Sequence, residues 1–246
     1  NIIKKIISCV DIVNKNVIEI GPGKGALTKE ILKNNPKSLQ VIEKDFYLAK
    51  ELKINYSKEK NFKVFNNDIL NFNIDKISKK NTIIFGNLPY NISSQILVQI
   101  LRLKMKPSKI NDLIFMFQKE LGEKIIAKFA SSGYGRLSIL TNFKLKILNK
   151  FLVSKNCFFP KPKVTSMVIH FQPKINNIFK INEIKNLEKV TNILFSNKRK
   201  MVNKAIKKIL HKASINNIPN LKIMSRPTEL KPEVYYKITE LFEKQK

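Results

Sequence analysis

The tetrapeptide Asn87-Leu88-Pro89-Tyr90 is the segment of this sequence whose residue types suggest a reaction. The exocyclic amine of adenine is a poor nucleophile because its lone pair is delocalised into the ring. Two acceptors on its N–H bonds would draw the nitrogen toward tetrahedral geometry and release that pair. The side-chain oxygen of Asn87 can be one acceptor and the backbone carbonyl of Leu88 the other. Pro89 stiffens the turn that aims this carbonyl. The ring of Tyr90 can stack on a base turned out of its helix. Alkylation of such an amine needs no strong base, because the proton can leave afterwards, and positioning dominates. The same four residues also suit a plain turn, so their meaning depends on what precedes them.

What precedes them resembles a cradle for an adenosine. Val17–Ile20 reads as a strand that ends in Glu19-Ile20-Gly21-Pro22-Gly23-Lys24-Gly25 and runs into a helix. Gly21, Gly23 and Gly25 would let the backbone approach a ligand, in a G-x-G-x-G spacing that differs from the dinucleotide fingerprint. Glu43 ends the second strand, 18 residues after Gly25. A carboxylate there can accept from both ribose hydroxyls. Asp68 ends the third strand, where it can accept from an adenine amino group while the Ile69 N–H faces a ring nitrogen. Each feature alone also fits a turn or a solvated charge. Together they accommodate a dinucleotide or S-adenosylmethionine, and Asn87, beside the reacting centre, favours the methyl donor.

These residues need a scaffold that brings strand ends together. Val17–Ile20, Leu39–Ile42, Phe62–Phe65, Thr82–Phe85 and Leu113–Phe117 read as buried strands. Ala26–Leu32, Tyr47–Tyr56 and Ser93–Leu103 carry helical periodicity between them. That alternation predicts an α/β, mainly parallel sheet with helices on both faces, whose ligands bind at the carboxyl ends of strands. Phe151–Val153 and Val164–Phe171 complete seven strands. After Pro173 only helices are expected, over Glu183–Phe195, Lys198–Leu210 and Pro232–Lys244. The predicted organisation is a catalytic domain over 1–173 and a small all-helical domain over 174–246.

Composition narrows the partner. The chain has 246 residues, with 47 Lys and Arg against 18 Asp and Glu, a formal charge of +29. Such an excess repels itself unless a polyanion is the usual partner. No apolar run approaches a membrane span, so no membrane partner is expected, and a cytoplasmic location is. Cys9 and Cys157 are too few for a disulfide framework and read as packing residues. His170 and His211 have no companions at metal-ligand spacing, so no metal is expected. Lys198, Arg199, Lys200, Lys204, Lys207, Lys208 and Lys212 crowd the C-terminal part. Lys200, Lys204, Lys207 and Lys208 would share one helical face. Arg136, Lys161 and Lys163 are further RNA candidates, placed nearer the reaction site.

The order of motifs resembles the ribosomal RNA adenine dimethyltransferases, specifically the small-subunit, kasugamycin-sensitivity type. The resemblance rests on Val17-Ile18-Glu19-Ile20-Gly21-Pro22-Gly23-Lys24-Gly25-Ala26-Leu27-Thr28, Val41-Ile42-Glu43-Lys44-Asp45, Asn67-Asp68-Ile69-Leu70 and Phe85-Gly86-Asn87-Leu88-Pro89-Tyr90-Asn91-Ile92-Ser93. Gln118-Lys119-Glu120, Tyr134-Gly135-Arg136-Leu137-Ser138, Phe158-Phe159-Pro160-Lys161-Pro162-Lys163-Val164-Thr165-Ser166 and the Phe195, Lys198-Arg199-Lys200 group follow in the family's order. It implies a Rossmann-like class I methyltransferase fold, S-adenosylmethionine as methyl donor and dimethylation of two adjacent adenosines near the 3′ end of small-subunit (16S) rRNA. It further implies an immature small ribosomal subunit as partner, a monomeric enzyme, and Phe158 stacking on the base face opposite Tyr90. Glu19, with the glycines, falls among the family's cofactor residues. Family members begin with a Gln-Asn-Phe-Leu segment that closes over the cofactor. The sequence starts after it, and the chain as it stands is expected to bind cofactor weakly or not at all. Three rival readings stay open: a large-subunit rRNA methyltransferase of the antibiotic-resistance type, a DNA adenine methyltransferase, and a non-catalytic RNA-binding assembly factor.

Overall fold

The computed structural model describes residues 2–103, 109–158, 161–175 and 177–245. Its elements run α1 (Ile2–Ile7), β1 (Asn16–Ile20), α2 (Ala26–Lys33), β2 (Ser38–Glu43), α3 (Phe46–Asn55), β3 (Phe62–Asn66), β4 (Thr82–Asn87), α4 (Ser93–Leu101), β5 (Ile110–Gln118), α5 (Lys119–Ile125), α6 (Arg136–Lys144), β6 (Leu145–Val153), β7 (Ser166–Pro173), α7 (Ile184–Phe195), α8 (Asn203–Ile206), α9 (Lys212–Ile215) and α10 (Pro232–Lys244). The strands form one seven-stranded sheet in the order β3-β2-β1-β4-β5-β7-β6. Only β7 runs against its neighbours, pairing antiparallel with both β5 and β6.

The expected alternation is present, and its cause is visible in burial. All five residues of β1 are buried, including Glu19. Helices covering both faces of a parallel sheet leave no solvated side, so after Asn16 β1 is an apolar run interrupted by one acid. The chain moves from β1 outward through β2 and β3, then returns to the other side of β1 as β4. Where strand order reverses, between β1 and β4, neighbouring loops diverge and leave a crevice at the carboxyl ends. Gly21 follows β1 at that point and Asn87 ends β4 there. Asp45 caps α3, its side chain accepting from Leu48 N–H at 2.9 Å.

The described residues fall into two compact units. One holds residues 1–122 and 145–175, the other 123–144 and 176–246. The division near Pro173 places 123–144 with the sheet, whereas in the structure α6 packs with α7 and α10. Within this second unit three buried tyrosines act as bolts. Tyr134 Oη donates to Leu230 O at 2.8 Å, Tyr236 Oη to Ile139 O at 3.0 Å, and Tyr235 Oη to Pro227 O. Burial raises the pKa of all three phenols, so they remain donors. Sequence periodicity had no hold on α6 because its buried residues Ser138, Ile139, Leu140, Thr141 and Phe143 circle the helix rather than forming a stripe.

Two expectations need correction. A helix over Lys198–Leu210 does not form; only Asn203–Ile206 is helical, and 196–199 are turns. Continuous helix would stack like charges at Lys200, Lys204 and Lys208, each four residues apart, which is destabilising. The apolar anchors Val202 and Ile206 secure a single turn instead. Cys157 is exposed, so it is no packing residue, while Cys9 is half-buried.

Candidate functional site

The glycine loop and the tetrapeptide meet. A Cβ placed on Gly21 would lie 3.4 Å from the backbone oxygen of Asn87 and 3.8 Å from Cδ of Pro89. One residue before Asn87 in β4, a Cβ on Gly86 would come within 2.6 Å of Leu88 Cδ2 and 2.9 Å of Phe115 Cδ1. Glycine at position 86 therefore lets Leu88 fold back into the core, where it is buried, and turns Asn87 outward, where it is exposed. The carbonyls of Pro89 and Tyr90 are taken up within the turn, by Ile92 N–H at 3.2 Å and the Ser93 hydroxyl at 3.1 Å. The turn that leads into α4 is thus fixed by its own hydrogen bonds.

Glu43 holds the glycine loop as well as ending β2. Its Oε2 accepts from Gly23 N–H at 3.0 Å and its Oε1 from Asp45 N–H at 2.9 Å. Each oxygen has a second lone pair, so the carboxylate is oriented by the backbone and can still accept two hydroxyls. Asn66 latches the next strand end, its Nδ2 donating to Glu43 O at 3.0 Å and Lys44 O at 3.1 Å. Asp68 stands beside Lys44, whose ammonium lies 2.8 Å from Oδ2; together with the Leu70 N–H this holds its carboxyl below the usual range. Lys44 thus partners Asp68, not Glu43. Ile69 follows with its side chain buried.

Glu19 differs from the other acids. It is buried in the middle of the sheet and accepts from the Thr28 hydroxyl at 2.6 Å. Burial pushes its pKa up to about 7; the Thr28 bond opposes this and the nearby Glu43 charge adds to it. Through Oε2 this carboxyl ties the end of β1 to α2 on the far side of the glycine loop. Sequence reading missed Thr28, although its place one turn into α2, on the face toward β1, was the available signal.

Tyr90 is half-buried, and its hydroxyl lies 2.7 Å from the Oγ of buried Ser166, the first residue of β7. Ser166 closes the 158–165 loop, so the ring expected to stack on a base is tethered where that loop ends. Phe158 is half-buried and packs against the core cluster under the sheet. It is therefore a partial core aromatic on the described side of the loop. Phe159 and Pro160, within the same motif, lie outside the described residues. Lys161 and Lys163 are exposed.

The basic candidates divide between units. Arg136 opens α6, exposed, and Lys198, Arg199, Lys200 and Lys204 are exposed in the second unit. The Tyr134–Ser138 motif around Arg136 has a structural job: Ser138 Oγ donates to Gly135 O at 2.8 Å while Tyr134 bonds Leu230. Among the described residues, no three His, Cys, Asp or Glu side chains gather as a metal site, and no helix is long and apolar enough to cross a membrane. His170 instead pairs with Asp112 at 2.8 Å inside the sheet.

The sequence model of the family described as "Ribosomal RNA adenine dimethylase" matches residues 1–244. The chain belongs to the ribosomal RNA adenine dimethylase family. A ribosomal RNA small subunit methyltransferase A from Pelagibacter ubique (strain HTCC1062) is 41% identical over 243 residues, covering 98% of this chain and 92% of that protein. Among solved structures, a dimethyladenosine transferase from Plasmodium falciparum superposes with a TM-score of 0.77 at 24% identity, over 96% of this chain and 93% of that one. The 23S rRNA methyltransferase ErmE gives 0.66 at 20% identity, over 98% and 97%. At those identities the two structures speak to fold alone. They agree with the class I methyltransferase architecture expected of the dimethylase family, with a helical C-terminal part.

Proposed function

We propose that this dimethylase uses S-adenosylmethionine to dimethylate the exocyclic amines of two adjacent adenosines near the 3′ end of small-subunit rRNA, on immature small subunits. The observation that carries this reading is the contact of Gly21 with Asn87: the loop suited to the donor and the tetrapeptide suited to the acceptor share one strand-end crevice. The residues fit the donor. A Cβ on Gly23 would meet nothing within 4 Å, so the loop backbone there is open to a ligand. Glu43 presents two oriented oxygens to the ribose, and Asp68 and Ile69 are placed for the adenine. The donor supplies a methyl group on a sulfonium sulfur.

The chain's own residues orient the acceptor. Asn87 Oδ1 and the Leu88 carbonyl accept the two N–H bonds of the adenine amine and free its lone pair. Tyr90 stacks on the base, and Phe158, half-buried against the core cluster, closes on the other face by turning its ring out of that packing. A nitrogen–carbon bond forms as the carbon–sulfur bond breaks, and the amine proton leaves to water before the second transfer. Arg136, Lys161, Lys163, Lys198, Arg199, Lys200 and Lys204 contact RNA phosphates, from a monomeric protein in the cytoplasm. The unit of residues 1–122 and 145–175 carries the chemistry, and the unit of 123–144 and 176–246 assists RNA binding.

The test is methyl transfer from labelled donor to immature small subunits, with the native residue and with Asn87→Ala. Label on adjacent adenosines, lost in Asn87→Ala, is expected. Label on DNA but not on subunits favours a DNA enzyme, label on large-subunit RNA favours the resistance type, and binding without any label leaves an assembly factor.

A further inference from the structure

A second basic feature lies away from the crevice, at the amino ends of β2 and β3. A cleft of about 730 Å³ is bordered there by Lys37, Lys60, Lys63, Lys76 and Lys79. All five are exposed, and no carboxylate borders the cleft. None of the five has an ion-pair partner among the described residues, in contrast to Lys44 and Lys109, which pair with Asp68 and Asp75. Two side-chain amides create the convergence. Asn61 Nδ2 donates to Pro36 O at 2.9 Å, which draws the segment carrying Lys60 against the one carrying Lys37. Gln40 Nε2 donates to Ile77 O at 3.2 Å, which folds the segment carrying Lys76 and Lys79 across the start of the sheet. Gln40 also pairs in register with Lys63. Lys63 Nζ sits 4.9 Å from the centroid of the Phe65 ring, which rests in turn on Phe72 at 5.2 Å.

Three stretches of chain are therefore tied so that five like charges share one concavity. Concentrating them raises the energy of the isolated protein unless a polyanion occupies the space. The five residues of backbone rise from Ser38 to Glu43 put this cleft roughly 17 Å from the donor crevice. A ligand reaching both is long, which excludes the donor itself and a single nucleotide.

We propose that the Lys37–Lys60–Lys63–Lys76–Lys79 cleft is a phosphate-backbone anchor for structured RNA, gripping the small subunit at a distance from the adenosines being methylated. The choice of RNA over an anionic membrane rests on the concave shape and the absence of exposed apolar residues among the lining side chains. Phe62 and Phe65 are half-buried and already packed on Tyr56 and Phe72. They offer nothing to insert into lipid. The anchor reads no bases; it adds affinity and orientation.

The test uses the full chain with Lys60→Glu/Lys63→Glu/Lys76→Glu, and as a charge-matched control Lys29→Glu/Lys50→Glu/Lys53→Glu on α2 and α3. Binding to immature small subunits is measured from 50 to 200 mM salt, alongside methylation of a short single-stranded adenosine-containing RNA and thermal melting. The cleft variant is expected to lose tenfold or more in subunit affinity. Its log–log salt slope should be shallower by about 2 to 3, at roughly 0.7 to 0.9 for each lost phosphate contact. Melting should not fall, since the variant relieves like-charge repulsion, and short-RNA methylation should stay unchanged. Equal losses in the control, or an unchanged slope in the cleft variant, overturn the anchor. So does binding to phosphatidylserine vesicles that the cleft variant abolishes while subunit affinity persists. The inference rests on RNA being the substrate. If the native chain methylates nothing yet the cleft variant alone loses subunit binding, the catalytic reading fails and the anchor stands.

Discussion

The hydroxyl of Tyr90 and the Oγ of Ser166 lie 2.7 Å apart, joining the turn after β4 to the first residue of β7 across 76 positions of sequence. The contact holds in place the tip of the ring proposed to stack on the target base. Ser166→Ala removes the partner and leaves the phenol to swing. A hydrogen bond of this kind contributes about 1 kcal/mol net, so turnover on subunits should fall roughly three- to tenfold. Affinity for S-adenosylmethionine, measured by calorimetry, should not change, and Ser166→Thr should restore most of the rate. A drop in donor affinity equal to the drop in rate would assign Ser166 a packing role only.

Gly25 and Gly23 make a matched pair for testing the loop. Both have positive φ, +79° and +57°. A Cβ on Gly25 would also lie 2.8 Å from Leu52 Cδ2, whereas one on Gly23 meets open space. Left-handed backbone costs a non-glycine residue about 1–2 kcal/mol. Gly25→Ala carries that strain and a collision with the core of α3. Gly23→Ala carries the strain alone. Both should melt lower than the parent, Gly25→Ala by the larger amount, at roughly 2–4 °C per kcal/mol for a chain of this size. Equal melting shifts would show that Leu52 yields freely.

Glu43 is expected to tie donor binding to loop geometry. Glu43→Ala deletes the acceptor for Gly23 and Asp45 N–H along with both proposed ribose contacts. Hydrogen bonds to a charged group are worth about 1.5–3 kcal/mol. Donor affinity should therefore fall by one to two orders of magnitude, roughly, on the same scale. Calorimetry that shows unchanged affinity removes the ribose role.

Much of this site was readable in advance because each candidate sits where a strand must stop. Gly21, Glu43, Asp68 and Asn87 each follow an apolar run, and a parallel sheet gathers such ends at one edge. What the sequence concealed were contacts between distant segments. Ser166 is a small polar residue before an apolar strand, and no local pattern marks it as the partner of Tyr90. Thr28 looks like any threonine on an amphipathic helix, and nothing local marks it as the hydroxyl that donates to buried Glu19. The basic helix over 198–210 failed for a related reason. Spacing alone counted its lysines as a face, while repulsion between them and the anchoring of Val202 and Ile206 allowed one turn.

The Glu19–Thr28 pair also predicts how stability responds to pH. The carboxyl of Glu19 has its pKa pushed up to about 7 in the folded protein, from 4.5 as the ordinary value. Between those pH values the folded chain keeps a proton that the unfolded chain has released. Unfolding then releases a proton, so stability is highest below about 4.5 and declines as pH rises toward 7. The contribution lost across that window is on the order of 3 kcal/mol. Asp68, held below its ordinary value of 3.8 by Lys44 and the Leu70 N–H, contributes with the opposite sign, but only at pH values below this window. Glu19→Gln isolates the one that matters. An amide carbonyl still accepts from the Thr28 hydroxyl and carries no charge at any pH. The difference in melting temperature between the variant and the parent should therefore widen in the variant's favour from pH 5 to pH 7.5. Parallel melting profiles across that range would mean that Glu19 is already ionised below pH 5, held charged by Thr28 in spite of its burial.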